Sequence, residues 1–253
     1  MKAKHGVALM ATVVVLMTIV APVRASKTDD QIVSSFKNTY VFKTFLKGDD
    51  IQIKSKNGVV TLTGTVSGSI HKKMAQETAE NLKGVKSVDN QLTVKEAEPI
   101  GNSDADEWIK VKVQMTLSFH RSTNASKTDI SVKDGKVTLR GDASSQGQKD
   151  LTAEYAKDID GVKDVDNQMT VSSAKTTAEK VEENIDDSSI TVQVKYALMF
   201  HRSTSALNTK VETNNGVVTL SGKAKNADAK KMAGKLAEDI NGVKSVNNQM
   251  TIE

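Results

Sequence analysis

The chain has 253 residues, a formal net charge of +4, no cysteine and an aromatic content of 4%. Without cysteine, disulfide stapling, thiol redox chemistry and thiolate metal sites are all excluded. The weak and uneven basic balance excludes the broad positive face of a nucleic-acid-binding domain.

The first residues read as an address and not as part of a fold. Met1-Lys2-Ala3-Lys4 is basic, Val7 to Val20 is almost wholly apolar, and Val23-Arg24-Ala25 is a small-x-small cleavage pattern. This predicts a Sec-type signal peptide over residues 1–25, cut after Ala25. The apolar run falls short of the roughly 18–20 residues of a spanning helix, and no cysteine follows to carry a lipid. The mature chain is therefore expected outside the cytoplasm with no transmembrane segment. Removing Lys2, Lys4 and Arg24 takes the charge from +4 to +1.

Beyond this leader one phrase occurs three times. Asn57-Gly58-Val59-Val60-Thr61-Leu62-Thr63-Gly64 returns as Asp134-Gly135-Lys136-Val137-Thr138-Leu139-Arg140-Gly141 and as Asn215-Gly216-Val217-Val218-Thr219-Leu220-Ser221-Gly222. Each is answered at the same distance downstream, by Gly84-Val85-Lys86-Ser87-Val88, Gly161-Val162-Lys163-Asp164-Val165 and Gly242-Val243-Lys244-Ser245-Val246. Equal spacing without internal gaps means three copies of one small domain. They are placed at residues 26–95, 107–172 and 188–253, with linkers at 96–106 and 173–187.

Each copy opens with an amphipathic helix. Its apolar stripe is Ile32, Phe36, Thr39 and Tyr40, then Ile109, Val113, Thr116 and Leu117, then Ile190, Val194, Ala197 and Leu198. Cap residues stand at the starts: Thr28-Asp29-Asp30, Ser103-Asp104 and Asp187-Ser188-Ser189. A short strand around Ile53, Ile130 or Val211 comes next. It meets a type I′ turn, which needs φ > 0 at both central residues and so selects Asn-Gly or Asp-Gly. Val60 and Leu62 then alternate with Thr61, one face in and one out, and Gly64, Gly141 and Gly222 are read as strand ends. A second helix from about Ile70 to Leu82 carries Met74, Thr78, Ala79 and Leu82 inward. Its counterparts are Leu151, Tyr155, Ala156 and Ile159, then Met232, Leu236, Ala237 and Ile240. Gly84, Gly161 and Gly242 are assigned to a Schellman-type helix ending. The final strand puts Asn90, Asn167 and Asn248 on its inward face, where the amide is either hydrogen-bonded or flipped out by a bulge. All nine glycines (Gly58, Gly64, Gly84, Gly135, Gly141, Gly161, Gly216, Gly222, Gly242) thus have backbone roles.

The fold class is α+β: three tandem αββαβ domains, each a three-stranded sheet with two helices packed on one face. A domain of about 67 residues buries little surface, so neighbouring copies are expected to lean on one another. The first linker reads as turn-rich. The second, with Thr177 to Asn184, has helix formers that extend the third copy's first helix backwards.

These phrases, Asn-Gly-Val-Val-Thr-Leu-x-Gly and Gly-Val-Lys-x-Val-x-Asn-Gln-Leu/Met-Thr-Val, resemble the BON domain family across essentially the whole mature chain. The resemblance implies a non-enzymatic envelope protein associated with osmotic or envelope stress. Anionic phospholipid surfaces are the implied partner, with chaperone-like handling of envelope proteins as the alternative.

Enzyme signatures are absent: there is no Gly-x-Ser-x-Gly, no Walker phosphate loop and no His-Glu-x-x-His. No metal and no cofactor is expected. The pairs Asp49-Asp50, Glu182-Glu183 and Asp186-Asp187 fit solvated or capping positions. Phe119-His120-Arg121-Ser122-Thr123 and Phe200-His201-Arg202-Ser203-Thr204 share a place after the first helix, where repeat 1 has Phe42 to Leu46. Two functions fit such a pair. Cations at a helix C-terminus complement its dipole, and an arginine fork with an imidazole suits a phosphate headgroup. The candidate headgroup contacts are accordingly His120, Arg121, His201 and Arg202, with Lys43, Lys47, Lys230 and Lys231 on the more basic outer repeats. Residues 27–95 hold eleven Lys/Arg against seven Asp/Glu and 188–253 nine against five, whereas 107–172 balance at ten each.

Overall fold

The computed structural model describes residues 27–95, 102–172, 185–204 and 208–253. The leader and much of both linkers, including Thr177 to Asn184, lie outside the described residues. Repeat 1 comprises α1 (Lys27–Asn38), α2 (Tyr40–Thr44), β1 (Asp50–Lys56), β2 (Val59–Val66), α3 (Ser69–Glu80), β3 (Ser87–Asn90) and β4 (Thr93–Val94). Repeat 2 comprises α4 (Asn102–Phe119), a 3-10 turn (Ala125–Lys127), β5 (Thr128–Lys133), β6 (Lys136–Ala143), α5 (Gln146–Lys157), β7 (Asp164–Asn167) and β8 (Thr170–Val171). Repeat 3 comprises α6 (Asp187–Phe200), β9 (Asn208–Asn214), β10 (Val217–Ala224), α7 (Ala227–Glu238), β11 (Ser245–Asn248) and β12 (Thr251–Ile252).

Each sheet is built on its middle strand. The hairpin partner runs antiparallel on one side, and the last strand runs parallel on the other. The hairpin turns are type I′ as expected, with φ of 56° and 82° at Asn57 and Gly58. The last strand is interrupted after its asparagine, and the inward amide explains the break. Nδ2 of Asn90, Asn167 and Asn248 donates to the carbonyls of Lys72, Lys149 and Lys230 at 3.0, 2.8 and 2.7 Å. Oδ1 accepts the amide two residues on, that of Leu92, Met169 or Met250, at 3.2 Å in each case. One side chain thus ties the last strand to the second helix and sets the register.

Two glycine assignments change. Gly64, Gly141 and Gly222 do not end their strands; they lie inside β2, β6 and β10 with φ of 114° to 119°. The second helices end at Glu80, Lys157 and Glu238, too early for Gly84, Gly161 and Gly242 to be their C′ residues. Those glycines instead sit at the third position of a separate turn closed by Val85 N–H to Leu82 O and its equivalents at Val162 and Val243. Positive φ there is the type II requirement.

The helix starts also differ from expectation. α6 is capped by Asp186, whose side chain accepts Ser189 N–H, and α4 begins at Asn102. Asp29, Asp106 and Asp187 instead reach across to the hairpin turns. Asp29 accepts the amides of Asn57 and Gly58 at 2.9 and 3.0 Å, Asp106 those of Asp134 and Gly135, and Asp187 those of Asn215 and Gly216. These amides point out of the hairpin and have no ladder partner, so a carboxylate on the first helix supplies one.

The buried apolar side chains form one contiguous cluster through all three repeats. Its axis is α6, whose residues from Ser188 to Leu198 are nearly all buried. Repeat 1 closes over it. Its first helix breaks at Thr39, which leaves the first amides of α2 without helical partners. Repeat 3 fills two of them: Tyr40 N–H donates to Asp186 Oδ2 at 2.8 Å and Val41 N–H to Ser189 Oγ at 3.0 Å. Ser188 Oγ donates to Thr78 O at 2.8 Å, and Lys195 lies 3.7 Å from Glu77. Burial pushes the Glu77 carboxyl up, with Lys195 and Lys73 opposing. This packing explains one departure in the second helices. Met74 is fully buried on α3, which packs against α6, whereas its counterpart Leu151 on α5 is exposed; the next position is buried in both, as Ala75 and Thr152.

Candidate functional site

The repeated His-Arg phrase lies where repeats 2 and 3 meet. The two copies face each other with approximate two-fold symmetry, each reaching the end of the other repeat's second helix. Arg121 N–H donates to Asp239 O at 2.9 Å and Asn241 N–H to Phe119 O at 2.9 Å. Reciprocally, Arg202 N–H donates to Asp158 O at 2.8 Å and Asp160 N–H to Phe200 O at 3.0 Å. The guanidinium groups complete the exchange. Arg121 Nη2 donates to the carbonyls of Glu238, Ile240 and Val243 at 2.7–2.8 Å. Arg202 Nη2 donates to Lys157, Ile159 and Val162 at 2.6–3.4 Å. Cations thus sit on helix C-termini as the dipole argument requires, but on the helices of the neighbouring repeat.

The imidazoles lie beneath the arginines. His120 is 2% exposed, stacks on the Tyr155 ring with centroids 3.9 Å apart, and has Nδ1 3.3 Å from Asp239. His201 is 6% exposed, with Nε2 3.4 Å from Asp158 and Nδ1 accepting Ser203 N–H at 3.2 Å. Asp239 also receives hydroxyl bonds from Tyr155, at 2.7 Å, and Ser122. Burial pushes the Asp239 carboxyl up, but the contacts from His120, Ser122 and Tyr155 outweigh it and hold it below the carboxylate range. Burial pushes the Tyr155 hydroxyl up, and Asp239 adds to the shift. Tyr155, expected in the core, therefore belongs to the joint. At these exposures neither imidazole reaches a membrane surface, and both Nη2 groups are engaged with carbonyls.

Replacing Arg121 or Arg202 by alanine is expected to lower stability by about 1–2 kcal/mol, discounting a charge-assisted bond for partial exposure. The double variant should cost clearly less than the sum, because either loss loosens the same joint. Urea unfolding of the single and double variants checks both statements.

The remaining candidates are lysines on the outer repeats. Lys43, Lys47 and Lys231 are exposed and Lys230 is half-buried. Lys43 and Lys47 flank the end of α2, and Lys230 and Lys231 lie in the first half of α7, so the structure does not join the two pairs into one cluster. Repeat 3 adds a feature that sequence reasoning missed. Ile252 is 52% exposed at the end of β12, which pairs with β10 so that Lys223 lies beside Thr251 and Ala224 beside Ile252. Lys223 and Lys225 are exposed there, and α7 packs against the same strand. An apolar side chain thus projects from the same end of the repeat as four lysines. Repeat 2 has Val171 at the equivalent point, 44% exposed, but with Asp142 and Asp150 in place of Lys223 and Lys231. Pairing alternation with charge at the sheet end was the signal that could have found this patch.

Among the described residues no group of His, Cys, Asp and Glu is arranged to hold a metal ion, and no helix is long and apolar enough to cross a membrane. The BON domain family profile matches residues 28–96, 105–173 and 186–253. The osmotically-inducible protein Y of Escherichia coli (strain K12) is 31% identical over 199 residues, covering 78% of this chain and 94% of that protein. The outer membrane lipoprotein DolP of Haemophilus influenzae is 31% identical over 124 residues, covering 46% of this chain and 64% of that one. A solved structure of the C-terminal domain of CdsD, a structural protein of the type III secretion system of Chlamydia trachomatis, aligns at 19% identity and a TM-score of 0.23, covering 88% of this chain and 97% of that one.

Proposed function

The chain belongs to the BON domain family, and on that footing we propose that it is a non-enzymatic periplasmic stress protein that docks on anionic phospholipid surfaces. The observation that carries the reading is the end of repeat 3, which bears the exposed Ile252 together with Lys225, Lys230 and Lys231, with Lys223 on the opposite face of the sheet. Each lysine near an anionic surface contributes about 1 kcal/mol, and an isolated apolar side chain adds a shallow foothold without spanning. The names of its relatives, one osmotically inducible and one an outer membrane lipoprotein, support the compartment and the stress association. In this reading Arg121, Arg202, His120 and His201 serve the joint, and the lysines of repeats 1 and 3 meet the headgroups.

Co-sedimentation of the purified chain with phosphatidylglycerol–phosphatidylcholine vesicles tests this. Binding is expected at low salt, with loss as screening shortens the range of the charges. The Lys230→Ala, Lys231→Ala double variant should bind roughly thirtyfold more weakly, about 2 kcal/mol, while Lys149→Ala on the neutral repeat changes little. Equal binding to pure phosphatidylcholine would sink the proposal. Suppression of client aggregation that survives high salt without lipid would move the assignment to a protein-binding module or holdase chaperone.

A further inference from the structure

The joint between repeats 2 and 3 holds two buried imidazoles where apolar packing would serve stability equally well. The tautomer of His201 is fixed by geometry. Its Nδ1 accepts the backbone N–H of Ser203 at 3.2 Å and lies 3.0 Å from Ser203 Oγ, so the ring proton resides on Nε2, towards Asp158. A second proton has only Nδ1 to go to. Taking it converts an acceptor into a donor: Ser203 Oγ can turn to accept the new N–H, but the Ser203 amide loses its partner. Arg202, which clamps the end of α5, stands between these two residues in the same loop.

The charges around the pair do not absorb that proton. From α5 and its exit come Glu154, Tyr155, Lys157, Asp158 and Asp160; from α7 and its exit, Glu238 and Asp239; from α4, Lys112; from the two loops, Arg121 and Arg202. Lys112 donates to Asp160 O. Asp239 is occupied by Tyr155, Ser122 and His120. Asp158 is left as the counter-charge for His201, and its side chain is 49% exposed. A proton on His201 sits against the Arg202 guanidinium of its own loop, with the half-exposed Asp158 as its nearest counter-charge.

We propose that the repeat 2–repeat 3 joint is an acid-sensitive latch: proton uptake by His201 releases the reciprocal clamps and uncovers the apolar surface beneath them. That surface includes Phe119, Phe200, Ile159 and Ile240, all 2% exposed or less in the closed form. The sign follows from linkage. Burial, reinforced by His120 and Arg202, pushes His201 below its ordinary value despite Asp158. The opened form therefore binds the proton first, so the closed form is favoured above about pH 6.5 and loses ground as pH falls from there. Lipid plays no part in the latch, so it stands or fails independently of membrane docking.

The test uses the purified chain without lipid, followed from pH 8 to pH 5 by small-angle scattering and an apolar-surface dye. The expected result is a larger radius of gyration and several-fold brighter dye at the acid end, with far-ultraviolet circular dichroism unchanged. The His120→Gln, His201→Gln variant should stay compact and dark throughout. A wild-type chain that remains closed at pH 5, or a variant that opens as the wild type does, overturns the latch. Should the variant not fold, imidazole NMR of the wild type decides. Opening and proton uptake by His201 must share one midpoint, and protonation of His201 in a still-compact chain refutes the proposal.

Discussion

Gly141→Ala is expected to cost more than about 3 kcal/mol, the range of a backbone-incompatible substitution inside a strand. The residue lies within β6 with φ of 119°, and a Cβ there would sit 2.0 Å from the carbonyl oxygen of Lys127. Neither atom can yield: the carbonyl belongs to the entry of β5, and β6 is the central strand of its sheet. Gly64 and Gly222 face the carbonyls of Asp50 and Asn208 in the same way, at 2.0 and 2.1 Å. Gly147→Ala is the control. It lies in α5 with only Ser145 Oγ near, at 3.9 Å, and should be neutral or slightly stabilising, within about 1 kcal/mol. Urea midpoints of the two variants separate these outcomes. Comparable effects at both positions would refute the close-approach explanation.

Asp29→Ala is expected to destabilise by about 3 kcal/mol. Asp29 is 3% exposed and accepts Ser55 Oγ at 2.6 Å as well as the amides of Asn57 and Gly58. Removing it strands two backbone donors in a buried place, and hydrogen bonds to a charged acceptor contribute about 1.5–3 kcal/mol. Asp106→Ala and Asp187→Ala should cost less, since their turn amides are nearer to water. Asp30→Ala, on the exposed face of α1, should be near neutral. Chemical denaturation ranks the four variants, and protection of the Asn57 and Gly58 amides from hydrogen exchange should fall in the Asp29 variant alone.

How far these residues were legible from sequence depends on whether their partner is near in the chain. The type I′ turns, the alternation on β2 and the inward asparagines follow from dihedral and periodicity rules acting within a few residues, and the structure agrees. Asp29 was visible only as a cap residue, because an acidic residue at a helix start looks the same whether it caps that helix or serves a turn nearly thirty residues away. Gly64 was visible as a glycine that must matter, but its reason, a carbonyl on the neighbouring strand, lies outside the local rules. Leu151 was assigned inward by the pattern of Met74, which holds at Met74 and in part at Met232 but fails at Leu151. The lysines of the candidate site were readable as basic residues. That Ile252 and Lys223 come to the same end of the sheet, on opposite faces, depends on the parallel pairing of β12 with β10.

The sequence by itself determined that the chain is three equal αββαβ domains, that the repeated glycines have backbone roles, and that the domain is a BON domain. The first two conclusions rest on short-range physics repeated three times, and the third on the resemblance of the repeated phrases to that family. Tertiary structure alone decided that the three domains close around α6 as one core, and that the His-Arg phrase clamps one repeat to the next. The reason is physical. These contacts join polar side chains to backbone carbonyls and amides of a distant repeat, and such acceptors are present at every residue, so they leave no period or composition in the sequence to be read.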